Sequence, residues 1–236
     1  MLVTLALLPL GHMQRKMLRE GRLSSSSMPR ADAYRSAVLQ WLLLGALALW
    51  LVQQNPAPFG ASAFAWPDGA EGLLAFAVVA AVLLGLLRWR RRLDESARKR
   101  AWLRSVCRHG ASLIAPRDAR ELAQFRMIAV LTSSAEEITY RLAVPGGFAV
   151  LLGGDEAVAW PAAALSALLF GIAHAWQGGW MMFWTAVFGL VAAALMLGTG
   201  SVWPAVALHI GWNIIVGGMM HMVYGRHRSR AGGGQP

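Results

Sequence analysis

Thr132-Ser-Ser-Ala-Glu-Glu-Ile-Thr-Tyr-Arg-Leu-Ala-Val-Pro145 puts two adjacent carboxylates, Glu136 and Glu137, and a guanidinium, Arg141, into a region otherwise apolar enough for a membrane. Insertion scales set the cost of one charged group at bilayer depth at roughly 2.5–3.5 kcal/mol. Such groups face a protein interior or a watery cavity and mark functional sites. Glu137 and Arg141 are four residues apart, so a helix lets them pair. Glu136 then faces elsewhere, one residue round the helix. A buried pair that only fixes helix packing is the competing reading of these charges.

Outward from this stretch, composition agrees with a membrane setting. Of 236 residues, 56% are hydrophobic and 14% charged, and the mean hydropathy is +0.46. A soluble domain is nearer 45–50% apolar and about 25% charged. The apolar excess lies in long runs, which indicates an all-α, polytopic membrane helix bundle and not a large soluble core. The net charge of +10 comes almost wholly from Arg in segments beside the apolar runs. Attraction to anionic lipid at the basic loops and the setting of topology account for it, and no nucleic-acid partner is expected. The single cysteine, Cys107, allows no disulfide within one chain and reads as a bystander thiol.

In chain order, residues 1–35 form a basic arm with a flexible composition, carrying Arg15, Lys16, Arg19, Arg22, Arg30 and Arg35. Its first ten residues are apolar but too short to span and lack the flanks of a signal peptide; Met28 is an alternative start. Residues 36–88 hold two spans, about 37–52 and 72–87. Residues 89–126 form a basic loop, with a surface helix expected at 117–126. Residues 127–224 form a core with spans at about 127–152, 157–176, 180–197 and 202–224, and Pro145-Gly146-Gly147 is expected to kink or interrupt the third. Residues 225–236 read as a basic, disordered tail. Six crossings put both termini and the basic loop on the cytoplasmic side of an inner membrane. The two halves show no repeat of the transporter kind.

Three patterns hold most of the polar residues left inside these spans: Glu136-Glu137-x-x-x-Arg141, Phe170-x-x-x-His174 and His209-x-x-x-Asn213. Four-residue spacing puts the ends of each pattern on one helix face, so three helices can aim polar groups at one pocket. That pocket suits hydrolysis. A carboxylate can act as general base on water, and a histidine can carry its proton to a leaving amine. An Asn amide and a His N–H can donate to the oxyanion of a tetrahedral intermediate. Alternatively, Glu136, His174 and His209 offer the ligand types of a divalent metal such as zinc, although the single-helix His-Glu-x-x-His pattern is absent. Other residues have plainer readings. His221 lies near a span end and reads as packing; Asn213 alone would be interhelical glue. Trp160, Trp176, Trp180 and Trp184 read as interfacial or packing residues and not as a substrate box. His12, His109 and His227 read as solvated.

Together the three patterns resemble the CPBP family of intramembrane proteases, also called ABI or CAAX-protease-like, which includes the type II CAAX prenyl endopeptidases. The run Gly198-Thr-Gly-Ser-Val-Trp-Pro-Ala-Val-Ala-Leu-His209 is similar to that family's approach to its last motif, and the resemblance covers roughly residues 125–215. It implies Glu136 as general base assisted by His174, His209 and Asn213 as the oxyanion site, and Glu137, Arg141 and Phe170 in support. The family segment often reads Glu-Glu-Leu-x-Phe-Arg-Gly, where this chain has Glu-Glu-Ile-Thr-Tyr-Arg-Leu.

The expected activity is hydrolysis of a peptide bond in a membrane-associated protein or peptide. A non-catalytic scaffold or immunity protein of the same fold and a proton-coupled transporter with Glu136 as relay are the alternatives. The water needed for hydrolysis calls for a cavity open to the cytoplasm.

Overall fold

The computed structural model describes residues 30–55, 58–106, 114–153 and 156–225. Most of the basic arm, Met28, His12, Cys107, His109, His227 and the tail lie outside the described residues. Among the described residues every regular element is helical. Helix α1 spans Arg30–Val52, α2 Gly69–Asp94 and α3 Ala97–Val106. Helix α4, Ala119–Glu137, passes through a π-helical turn, Ile138–Ala143, directly into α5, Val144–Leu151. Helices α6, Ala159–Ala173, α7, Gly179–Thr199, and α8, Trp203–Tyr224, complete a helical membrane bundle.

Four helical stretches are long and apolar enough to cross a membrane: Tyr34–Val52, Gly69–Asp94, Gly179–Thr199 and Trp203–Tyr224. They coincide with the first, second, fifth and sixth expected spans. The two remaining stretches, 127–152 and 157–176, fall short of that measure for physical reasons. The first carries Glu136, Glu137 and Arg141 and leaves α-helical geometry at Ile138. The second is reduced to α6, whose 15 residues reach only about 22 Å at 1.5 Å per residue, against a hydrocarbon core of about 30 Å. The π turn is buried from Thr139 to Ala143, and its helix is flanked by α1 and α8.

The basic segment is more helical than its composition suggested. Helix α2 continues through Arg88–Arg92 to Asp94, and α3 follows after a short turn. Arg100 Nη1 donates to Leu93 O at 2.8 Å, and Arg104 Nη2 donates to Val223 O at 2.8 Å. Both guanidinium groups sit at helix C-termini, where carbonyls lack partners and the dipole favours cations. Residues 117–126, expected as a separate surface helix, form the start of α4. Asp118 caps it by accepting from Glu121 N at 2.8 Å, while Glu121 Oε2 accepts from Arg117 N at 2.8 Å.

Small residues bring α6 and α7 together. A Cβ on Gly171 would lie 2.7 Å from Ala186 Cβ, and one on Gly189 would lie 3.1 Å from Ala167 Cβ. Close backbone approach through small residues is how membrane helices gain packing energy. Helix α7 ends at Gly200, whose φ of 63° is the left-handed cap that glycine adopts without strain. The following turn is pinned to the 3₁₀ segment Ala61–Phe64: Val202 N donates to Ala63 O at 2.9 Å and Trp203 Nε1 to Phe64 O at 2.8 Å. This fixes the start of α8, and with it the heights of His209 and Asn213.

Candidate active site

The three sequence patterns converge. Glu136, His174, His209 and Asn213 all line one cavity of about 280 Å³, while Glu137 and Arg141 lie behind its wall. Helix α4 supplies Glu136, the end of α6 supplies His174, and α8 supplies His209 and Asn213. The sequence spacing left Glu136 deep and His174 near the end of a long span. In the structure Glu136, at the end of α4, and His174, at the C-cap of α6, line the same cavity.

Behind the wall, Arg141 Nε donates to Glu137 Oε2 at 2.8 Å, with both side chains fully shielded. Glu137 Oε1 lies 2.7 Å from His209 Nδ1. One carboxylate thus bridges a guanidinium on its own helical run and an imidazole on α8. The Arg141 guanidinium carbon sits 5.0 Å from the centre of the Phe170 ring, a cation–π arrangement. Phe170 also meets His174 at 4.7 Å and His209 at 5.8 Å between ring centres, edge to face. It thus touches both imidazoles and covers the charge pair.

On the cavity side, His209 Nε2 lies 3.7 Å from Glu136 Oε2. That is too long for a direct hydrogen bond and short enough for one water to touch both groups. His174 Nδ1 donates to Phe170 O at 2.9 Å, which leaves Nε2 as the other polar edge of the ring. Asn213 Nδ2 donates to Ser133 Oγ at 3.0 Å. Ser133 is fully buried one turn before Glu137, and it was not among the residues singled out from sequence. Its signal was available: a hydroxyl three and four residues ahead of a carboxylate pair shares their helix face.

The rest of the cavity is apolar, with Trp41 from α1, Phe125 from α4, Phe188 from α7 and Trp212 from α8. Trp176 and Trp184 also line it, and Trp160, Trp180 and Trp184 are exposed. The 3₁₀ turn Ala175–Gln177 brings Trp176 beside His174, a reversal that span-level reading misses. His221 stays outside the cavity, with Nδ1 3.1 Å from Pro116 O, a packing contact. Lining residues Tyr34, Ile114 and Met220 lie at the end of the bundle where α2 presents Arg88–Arg92, so the cavity extends from Glu136 towards the basic end.

Among the described residues, no three His, Cys, Asp or Glu side chains come together as a metal-ligand group. Glu136, His174 and His209 share the cavity wall without forming such a set, so no chemical step is derived through a metal.

The fold and site define a helical membrane protein with a Glu/His/Asn cavity built at the crossing of inner helices. Residues 118–215, from the cap of α4 to the middle of α8, match the family model of Rce1-like proteins, type II CAAX prenyl endopeptidase Rce1-like. No curated protein and no solved structure matches the chain.

Proposed function

We propose that the protein is an intramembrane endopeptidase that hydrolyses a peptide bond of a membrane-associated protein or peptide. The observation that carries this reading is the facing pair Glu136 Oε2 and His209 Nε2, 3.7 Å apart on a cavity that also bears His174 and Asn213. The Rce1-like match over the same helices supports it. A water held at Glu136 loses its proton to that carboxylate as it attacks the substrate carbonyl. His174, turned by its bond to Phe170 O, presents Nε2 to that water and relays the proton taken up by Glu136 to the leaving amine. His209 and Asn213 donate to the oxyanion. Glu137 and Arg141 hold His209 in place. The apolar walls favour an uncharged substrate segment.

The Lys/Arg bias supports an inner-membrane protein with both termini cytoplasmic and a cavity that opens there. Exposed Arg88, Arg91, Arg92, Arg98 and Lys99 suit anionic headgroups at that surface.

Purified wild type and Glu136→Gln, compared on a membrane-peptide library by mass spectrometry, test this reading. Cleavage by wild type and its loss in a folded variant are expected. Equal cutting by both would remove Glu136 from the mechanism. A chelator arm separates the two sources of an activated water: with side chains alone, cleavage survives it, and with a divalent metal it does not.

A further inference from the structure

Between Ala119 and Leu151 the helical ladder departs from α geometry only at Ile138–Ala143, immediately after the two carboxylates. The cap N–H of Val144 bonds to Thr139 O, five residues back. The next bond of that series would reach Tyr140 O from residue 145, which is proline and has no N–H. Tyr140 O is satisfied instead from another helix: Ser166 Oγ on α6 donates to it at 2.6 Å, and Ser166 is fully buried. Two residues on, Leu142 O accepts from Asn55 Nδ2 at 3.1 Å, from the turn after α1. Gly146 makes room for that side chain, since a Cβ there would overlap Asn55 Nδ2.

The wide turn therefore has two outside donors, one on each side. Wide turns of this kind accompany functional sites because they re-aim side chains within a helix. Here the turn contains Arg141, and Arg141 is the partner of Glu137, which in turn holds His209. Relaxation of the turn to α geometry would rotate Arg141 about the axis relative to Glu137.

We propose that Ser166 and Asn55 are positioning residues of the site: by donating to Tyr140 O and Leu142 O they hold the wide turn, and through Arg141 and Glu137 they hold the His209 imidazole. The kinetic part of this proposal rests on the peptidase reading; the structural part does not. Asn55 lies outside the Rce1-like segment, so the site depends on a contact beyond the matched helices.

The test uses the full chain in nanodiscs, with ¹⁵N-labelled histidine. Wild type should show a low-field Nδ1–H resonance from the His209–Glu137 bond, assigned by its loss in His209→Gln. Ser166→Ala and Asn55→Ala should shift or broaden it, and Ser166→Thr, which keeps the hydroxyl, should restore it. On a peptide that wild type cleaves, kcat should fall about tenfold or more in both alanine variants, with KM within about twofold. Gly146→Ala should act like Asn55→Ala, and the double variant should be no worse than either single, because all three remove one contact. If Ser166→Ala does not fold, the Asn55/Gly146 cycle carries the same test. An unchanged resonance in folded Asn55→Ala, or additive losses in the double variant, would overturn the proposal. A responsive resonance in a protein that cleaves nothing would leave the positioning device standing and remove the peptidase reading.

Discussion

His209 Nδ1 lies 2.7 Å from Glu137 Oε1, while the other oxygen of the same carboxylate is 2.8 Å from Arg141 Nε. A carboxylate partner makes Nδ1 the protonated nitrogen of a neutral His209, so that Nε2 faces Glu136 with a lone pair. His209 can donate to an oxyanion from Nε2 only as an imidazolium, and Glu137 is the carboxylate that lies against its other nitrogen. Glu137→Gln keeps a hydrogen-bond acceptor but removes the charge. A kcat loss of roughly 10²–10⁴-fold is expected, with little change in KM. Steady-state kinetics on any peptide cut by wild type checks it; a folded variant with wild-type kcat would separate Glu137 from the chemistry.

Arg141 gives a stability prediction that needs no substrate. Its side chain is buried, paired with Glu137 and covered by Phe170. Arg141→Leu leaves the Glu137 charge with His209 alone, and breaking a buried pair from one side costs about 3–5 kcal/mol. Arg141→Lys restores a charge but not the planar group that lies over the Phe170 ring, and should fall between the two. Thermal unfolding in detergent gives the order: wild type, Lys, Leu.

The helical membrane class and the convergence of the three patterns were legible because charge inside apolar sequence is rare and four-residue spacing fixes a helix face. The Glu137–Arg141 pair followed from spacing alone. What spacing could not give was the depth of each group. Glu136 and His174 line one cavity because of how the helices of the bundle pack, which spacing within one helix does not encode. The expected disturbance at Pro145 was real but lies one turn earlier: proline removes an N–H, and its consequence falls on the carbonyl of Tyr140. Ser166 was not singled out because a single small polar residue in a span has no distinctive spacing, and Asn55 because it lies in the turn after α1; Ser133 had a spacing signal and was passed over. That Trp176 and Trp184 line the cavity was not legible, because a tryptophan near a span end looks interfacial until the chain reverses at Ala175–Gln177.

Tyr140 carries a hydroxyl with no hydrogen-bond partner among the described residues, although the side chain is buried against Phe170 and Trp41. A buried polar atom left unpaired costs free energy, and removing it while keeping the ring is neutral or favourable. Tyr140→Phe should therefore retain cleavage and unfold at the same or a higher temperature, with a gain of up to about 1 kcal/mol. A loss of activity without a loss of stability would show that the hydroxyl acts on the substrate.

Gly171 lies against Ala186 Cβ and Met182 O on α7, at 2.7 and 2.8 Å from where its Cβ would be. Gly171→Leu cannot be absorbed by a rotamer change, because one of these neighbours is backbone. The helices must part, at about 1–3 kcal/mol for overpacking. Since α6 ends at His174 and α7 carries Phe188, the cavity wall shifts with them. Reduced thermal stability together with raised KM is expected; Gly171→Ala should show the same signs more weakly.

Asn213 has two readings that one pair of variants separates. As interhelical glue its Nδ2 ties α8 to Ser133 on α4 at 3.0 Å. As an oxyanion donor it presents an amide N–H to the cavity that also holds Glu136 and His209. Asn213→Ala and Ser133→Ala both remove the tie, each costing about 1 kcal/mol of stability. Only Asn213→Ala removes the donor, and loss of such a donor costs about 10²–10³ in kcat. Ser133→Ala should therefore slow cleavage modestly, by leaving the amide free to turn, while Asn213→Ala should slow it by the full factor at similar KM. Asn213→Asp keeps the shape, accepts from Ser133 and cannot donate, so it should match Asn213→Ala in kcat. If the folded aspartate variant cleaves like wild type, the amide serves packing alone and His209 carries the oxyanion without it.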